Sequence, residues 1–225
     1  MPSRPNSYRA QLALDEGGEA MLVVGTSLGL GHAMGGQADV PLWGDLAERV
    51  LELTLAESFH AGARWRMRAL DEPSVSELEH DAVISIGSAG GVRLTQPCTA
   101  SAAGVLELSG ALDAGGAQKV LLVPPGAGGV VRIGSTSDCH LFWKGGGPES
   151  IAELTVCEED GALSLHLHCA EGLRIPGGEL QTHWTGPFPP RERMEIHLGD
   201  PDSSGPPCAL CLSPCSHPTI DRGSA

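Results

Sequence analysis

Ala38-Asp39-Val40-Pro41-Leu42-Trp43, followed by Glu52-Leu53-Thr54-Leu55, returns in the second half of the chain as Asp138-Cys139-His140-Leu141-Phe142-Trp143, followed by Glu153-Leu154-Thr155-Val156. The order continues. Val83-Ile84-Ser85-Ile86-Gly87 answers Met194-Glu195-Ile196-His197-Leu198-Gly199, and Val105-Leu106-Glu107-Leu108-Ser109 answers Ala209-Leu210-Cys211-Leu212-Ser213. Matches kept in one order mean two copies of a domain-sized unit. Function must then come from a duplicated small β domain rather than one large catalytic fold.

Short apolar runs alternate with Gly, Pro, Asp and Ser clusters from Met21 onward, the pattern of a β-sandwich or barrel. The strands expected in the first copy are 20–24, 39–43, 50–56, 63–69, 83–87, 91–94 and 104–109. Those in the second are 119–123, 130–133, 140–143, 152–157, 162–168, 172–175, 179–184, 194–198 and 208–213. One segment contests this reading, because Asp45-Leu46-Ala47-Glu48 resembles a helix cap and Leu46, Val50 and Leu53 share a helical face. The period-two alternation of Leu51, Leu53 and Leu55 repeats at Leu154 and Val156, so the strand is preferred. The fold class expected is all-β, two tandem antiparallel β-sandwiches. Their boundaries are 19–110 and 119–213, with a mobile segment 1–18, a linker 111–118 and a tail 214–225.

The 225 residues suffice for two cores, and a hydrophobic content of 41% is ordinary for a globular chain. A formal charge of −14, with only Lys119 and Lys144 as lysines, argues against nucleic acid and anionic membranes as partners. No apolar run of signal-peptide or membrane-spanning length occurs, and seven cysteines are an odd number. These features predict a cytoplasmic protein with reduced thiols.

Ile133-Gly134-Ser135-Thr136-Ser137-Asp138-Cys139-His140-Leu141 resembles the opening signature of forkhead-associated (FHA) domains, and Gly36-Gln37-Ala38-Asp39-Val40-Pro41-Leu42 is similar to its end. Asp45-Leu46-Ala47-Glu48-Arg49-Val50-Leu51 resembles the segment that follows in that family. His80 to Gly87 and Arg193 to Asp200 resemble its late Gly-Asp-x-Ile-x-Leu-Gly strand. The resemblance spans about residues 20–215. It implies an antiparallel sandwich whose loops at one end bind a protein partner, usually through phosphothreonine. The gripping residues that the resemblance calls for depart from the pattern. The signature Arg falls on His32 or Ser135, the Ser-Arg pair on Ala47-Glu48, and the bracing His on Val50. The single Asn is Asn6, outside both copies. Bidentate phosphate recognition depends on Arg geometry. The expected function is therefore a non-catalytic protein–protein interaction or scaffold module that does not use the standard phosphothreonine pocket.

Other motifs supply alternatives. Arg64, Arg66 and Arg68 alternate with Trp65 and Met67, so a strand puts three guanidiniums on one face. With His32, Arg49 and Ser135 they are the candidate phosphate or peptide contacts of a phosphopeptide-binding adaptor. The bland reading is a solvated face paired with neighbouring Glu residues. Gly25-Thr26-Ser27-Leu28-Gly29 fits a nucleophile elbow and would make Ser27 the nucleophile of a serine hydrolase. The glycine-rich Leu30 to Gly36 cannot propagate the helix that motif needs, so no enzyme is expected. Cys208, Cys211, Cys215 and His217 offer four potential zinc ligands, against the reading of a last strand with semi-buried thiols. Without them no cofactor is expected. His166 and His168 alternate with Leu165 and Leu167, a spacing that can hold metal, but no carboxylate or third His lies at a telling distance, so an exposed strand face is expected. Trp43 and Trp143 are expected to pack the two cores.

Overall fold

The computed structural model describes residues 8–15, 17–35, 38–46, 50–58, 62–69, 83–86, 88–126, 128–144, 152–199 and 208–215. The strands of the first half are β1 (Tyr8–Leu14), β2 (Gly18–Val24), β3 (Ser27–His32), β4 (Val40–Leu42), β5 (Leu51–Ser58), β6 (Gly62–Ala69), β7 (Val83–Ile86), β8 (Gly90–Thr95) and β9 (Gly104–Gly110). Those of the second are β10 (Lys119–Val123), β11 (Val131–Gly134), β12 (Leu141–Phe142), β13 (Ala152–Glu159), β14 (Ala162–Arg174), β15 (Gln181–Phe188), β16 (Met194–Leu198) and β17 (Cys208–Pro214). One 3-10 turn, Ala33–Gly35, follows β3. The all-β expectation holds. Among the described residues no helix is long and apolar enough to cross a membrane.

Two sheets form. One has four strands in the order β4-β3-β5-β6, and the other has 13 strands running β12-β11-β13-β14-β16-β17-β1-β2-β10-β9-β8-β7 with β15 paired to β14. β14 is the corner of the large sheet. Its first part pairs with β13 and β15, its last residues with β16, and the register shifts between His168 and Leu173. Gly172, at φ 97°, lies in this bend, where a side chain would be strained.

The middle of the large sheet is packed on both faces. Along β2, Ala20, Leu22 and Val24 enter one core while Met21 and Val23 enter the other. β10 divides the same way, with Leu121 and Val123 against Val120 and Leu122. Strands buried on both faces read as continuous apolar runs, which is why Met21-Leu22-Val23-Val24 and Val120-Leu121-Leu122-Val123 lack alternation. The first core is closed by Val131, Ile133, Leu154, Val156, Leu165 and Leu167 from β11, β13 and β14. The second is closed by Leu28, Leu30, Leu51, Leu53, Trp65 and Met67 from the four-stranded sheet. Trp65 is 1% exposed, and its indole N–H donates to the Ala102 carbonyl at 2.9 Å. Trp143 is buried as expected, whereas Trp43 is half-buried and bridges Asp113 through its backbone.

This arrangement departs from two separate tandem units. Tyr8–Leu14, expected within a mobile leader, is β1 and lies between β2 and β17. Its alternation of Ala10, Leu12 and Leu14 with Arg9, Gln11 and Ala13 feeds the first core. β10 opens the second copy in sequence, yet it pairs antiparallel with β9 and parallel with β2 of the first. So the sheets are not wholly antiparallel. The expected linker is likewise built in, with Leu112, Ala114 and Ala117 buried in the second core. Pro214, expected as tail, ends β17, and Cys215 packs against the same core.

Candidate binding site at the two signature loops

The two halves share a pattern of strand pairing. β3 runs parallel to β4 and antiparallel to β5, while β11 runs parallel to β12 and antiparallel to β13. Gly29 stands opposite Glu52, and Arg132 opposite Glu153, so Leu30 corresponds to Ile133 and His32 to Ser135. Leu30 faces Val40 and Ile133 faces Leu141. Val40 therefore corresponds to Leu141, one residue away from the match that aligned Trp43 with Trp143. Burial explains the slip. Val40 and Leu42 point inward, as do Leu141 and Trp143, whereas Phe142 is 43% exposed. A one-residue shift in a strand exchanges its faces, and burial decides which register stands. The third sequence match also moves, because β16 pairs with β17 whereas β8, rather than β7, lies beside β9.

Each loop is pinned by the same two-point clasp made with different chemistry. In the first half Asp39 N–H donates to the Gly29 carbonyl at 2.8 Å, and Gly29 N–H donates to Asp39 Oδ2 at 2.7 Å. In the second, His140 N–H donates to the Arg132 carbonyl at 2.9 Å, and Arg132 N–H donates to His140 Nδ1 at 3.1 Å. With Nδ1 accepting, the neutral ring carries its proton on Nε2. That nitrogen is buried and completes no hydrogen bond among the described residues. His140 is 2% exposed, and burial pushes its pKa down to about 4.

Arg132 reaches over the second loop. Its Nη1 is ion-paired with Asp138 Oδ2, its Nε lies 4.0 Å from Glu153 Oε1, and the Cys98 thiol lies near its guanidinium. Burial alone would lower the Arg132 pKa, but the contacts with Cys98 and Asp138 outweigh it and raise it. Thr136 Oγ1 donates to Asp138 Oδ1 at 2.5 Å and lies 3.3 Å from Cys139 Sγ. The Thr136 hydrogen bond first, and the Arg132 charge after it, hold the Asp138 carboxyl below the ordinary aspartate range. The loop thus contains a cation whose counter-ion is built into the same loop.

The residues singled out from sequence are dispersed. His32 is half-buried at the end of β3, where its Nδ1 accepts the Met34 N–H at 3.2 Å. Ser135 holds the corresponding place in the second half, half-buried after β11. Arg49 and His217 lie outside the described residues. Arg64, Arg66 and Arg68 project from β6, which among the described residues pairs with β5 alone and so forms an edge of its sheet. Arg68 is bound to Glu52 at 2.5 Å. Charged side chains on an edge strand also discourage pairing with a second chain. Ser27 opens β3 opposite Thr54, and a strand follows it rather than the helix a nucleophile elbow requires. Cys208 is buried in the first core, while Cys211 lies on the other face of β17 with its Sγ 3.6 Å from Arg193 Nη2. Strand alternation places those two thiols on opposite faces of β17. Among the described residues no three His, Cys, Asp or Glu side chains already converge as a metal site.

Arg132, Asp138, Thr136 and Cys98 were not read from sequence as one group. Arg132 and Asp138 sit within or beside the signature stretch, so their spacing was a usable signal; Cys98 arrives from a distant loop and gave none. No family model, no curated protein and no solved structure matches this chain.

Proposed function

We propose that the chain is a non-catalytic protein-binding module of FHA-like sandwiches that docks its partner without a phosphate. The observation that carries this reading is the closed ion pair at the second loop, where Ser135 stands in the place of the signature Arg and the nearby Arg132 guanidinium is already paired with Asp138. The first half supports it too. Gly29 stands where the second half has Arg132, and the loop contributes the carboxylate of Asp39 instead. A phosphate arriving at either loop meets a carboxylate in a chain of net charge −14. Contact area is available beside both loops, at Met34 (50% exposed) and Phe142 (43% exposed).

The test is a pair of oriented peptide libraries, one with phosphothreonine at its fixed position and one with threonine. The wild-type protein is expected to retain both equally. Asp138→Asn removes the resident charge while keeping a hydrogen-bonding side chain, and is expected to prefer the phosphorylated library. Preference by the wild-type protein would overturn the reading. If that preference then vanished on acidic substitution of Arg64 and Arg66, the arginine face of β6 would be the phosphopeptide site.

A further inference from the structure

The exposed face of the second half carries a histidine pair whose second member no nearby sequence spacing revealed. His168 lies directly opposite His183 on β15, and their rings stand 4.5 Å apart between centroids, tilted by 32°. His166, two residues before His168, points to the same face and is paired with Thr185. Leu165 and Leu167 alternate with these histidines and are 1% exposed, so the backbone under the cluster is anchored in the first core. The matching row in the first half is Gly29–Glu52–Arg68, and in the second it is Arg132–Glu153–His168–His183. Arg66 and Arg68 thus occupy the places of His166 and His168. Between the copies, fixed cations have been exchanged for side chains that can offer a lone pair.

We propose that His168 and His183 together bind a divalent transition metal of the kind that favours imidazole, such as zinc, nickel or cobalt, with water in the remaining positions. Such ions sit about 2.0–2.1 Å from each ligating nitrogen, so two ligand nitrogens come about 3.3 Å apart. Facing rings with centroids 4.5 Å apart reach that geometry by turning about their own side-chain bonds. The bond to be broken is the one between His183 Nδ1 and Thr182 Oγ1, at 2.9 Å. His168 and His183 are exposed, so water replaces that partner at little cost and the metal has an open approach. The net charge of −14 raises the local concentration of divalent cations.

The experiment is a Co2+ titration of the whole protein in a non-thiol reductant, followed by visible absorption. Binding is expected to give ligand-field bands without the sulfur-to-cobalt charge-transfer band that thiolate ligands produce. His168→Gln and His183→Gln are each expected to weaken binding by about tenfold or more, at least the loss seen when only a supporting partner of a ligand is removed. His197→Gln, on another strand, is expected to leave it unchanged. Unchanged titration in both His168→Gln and His183→Gln would overturn the proposal. So would a charge-transfer band abolished by Cys211→Ser or Cys215→Ser, which would place the metal on the thiols near the C-terminus.

Discussion

A chain lacking residues 1–14 is expected not to fold. β1 is not an appendage; it fills the gap between β2 and β17 with ladders on both sides. Removing it takes Ala10, Leu12 and Leu14 out of the first core and leaves two interior strands with unpaired backbone groups. Each buried leucine contributes about 1.5–3 kcal/mol, and each buried backbone group left without a partner costs about 1–3 kcal/mol. Together these match or exceed the roughly 5–15 kcal/mol that a domain has in total. The measurement is soluble yield and urea unfolding followed by circular dichroism. A graded companion is Leu12→Ala, which leaves every strand in place and is expected to lose about 2–5 kcal/mol. A truncated chain with the midpoint of the full protein would mean that β1 is dispensable, and the shared-sheet description would fail with it.

The second large effect lies in acid. His140 titrates near 4 in the folded chain because burial opposes its charged form, against about 6.5 when unfolded. Between those values the unfolded chain binds more protons, so stability falls as pH falls. The loss begins below about 6.5 and is complete below about 4, amounting to about 3 kcal/mol at 1.36 kcal/mol per pH unit. His140→Asn is the informative variant. Its amide oxygen can accept the Arg132 N–H as the Asp39 carboxylate accepts that of Gly29 in the first half. The variant is expected to start less stable at pH 7 and to lose about 3 kcal/mol less than wild type on the way to pH 4. Parallel pH profiles for the two proteins would show that burial of His140 does not set this window.

The strands themselves were largely legible, because most are half-buried and half-buried strands alternate. Lys119–Val123 and Met194–Leu198 fall where their residue patterns place them. Two strands escaped. In β3 the alternating partners of Leu28 and Leu30 are glycines, which read as a turn although Gly29 and Gly31 are buried. In β1 the charged and polar members of the alternation hid the apolar ones. The shared sheet was beyond reach for another reason: the pairing of β2 with β10 joins segments almost a hundred residues apart and leaves no local signal beyond two unbroken apolar runs. At the site, the tryptophans misled. Aligning Trp43 with Trp143 matches identity, but the inward faces align Leu42 with Trp143, and only that register shows Asp39 and His140 doing one job. His183 lies fifteen residues beyond His168, and only the β14–β15 register brings them together.

The central claim is that the signature loops serve a docking surface that carries its own counter-charge and takes no phosphate. Its most direct measurement is capture of partners by the tagged full-length protein from one matched cell lysate, half of it treated with phosphatase. The account predicts the same partners in equal amounts from both halves, with retention reduced by Phe142→Ser beside the second loop. Partners recovered only from the untreated half would contradict it, since phosphate would then be recognised despite the Arg132–Asp138 pair.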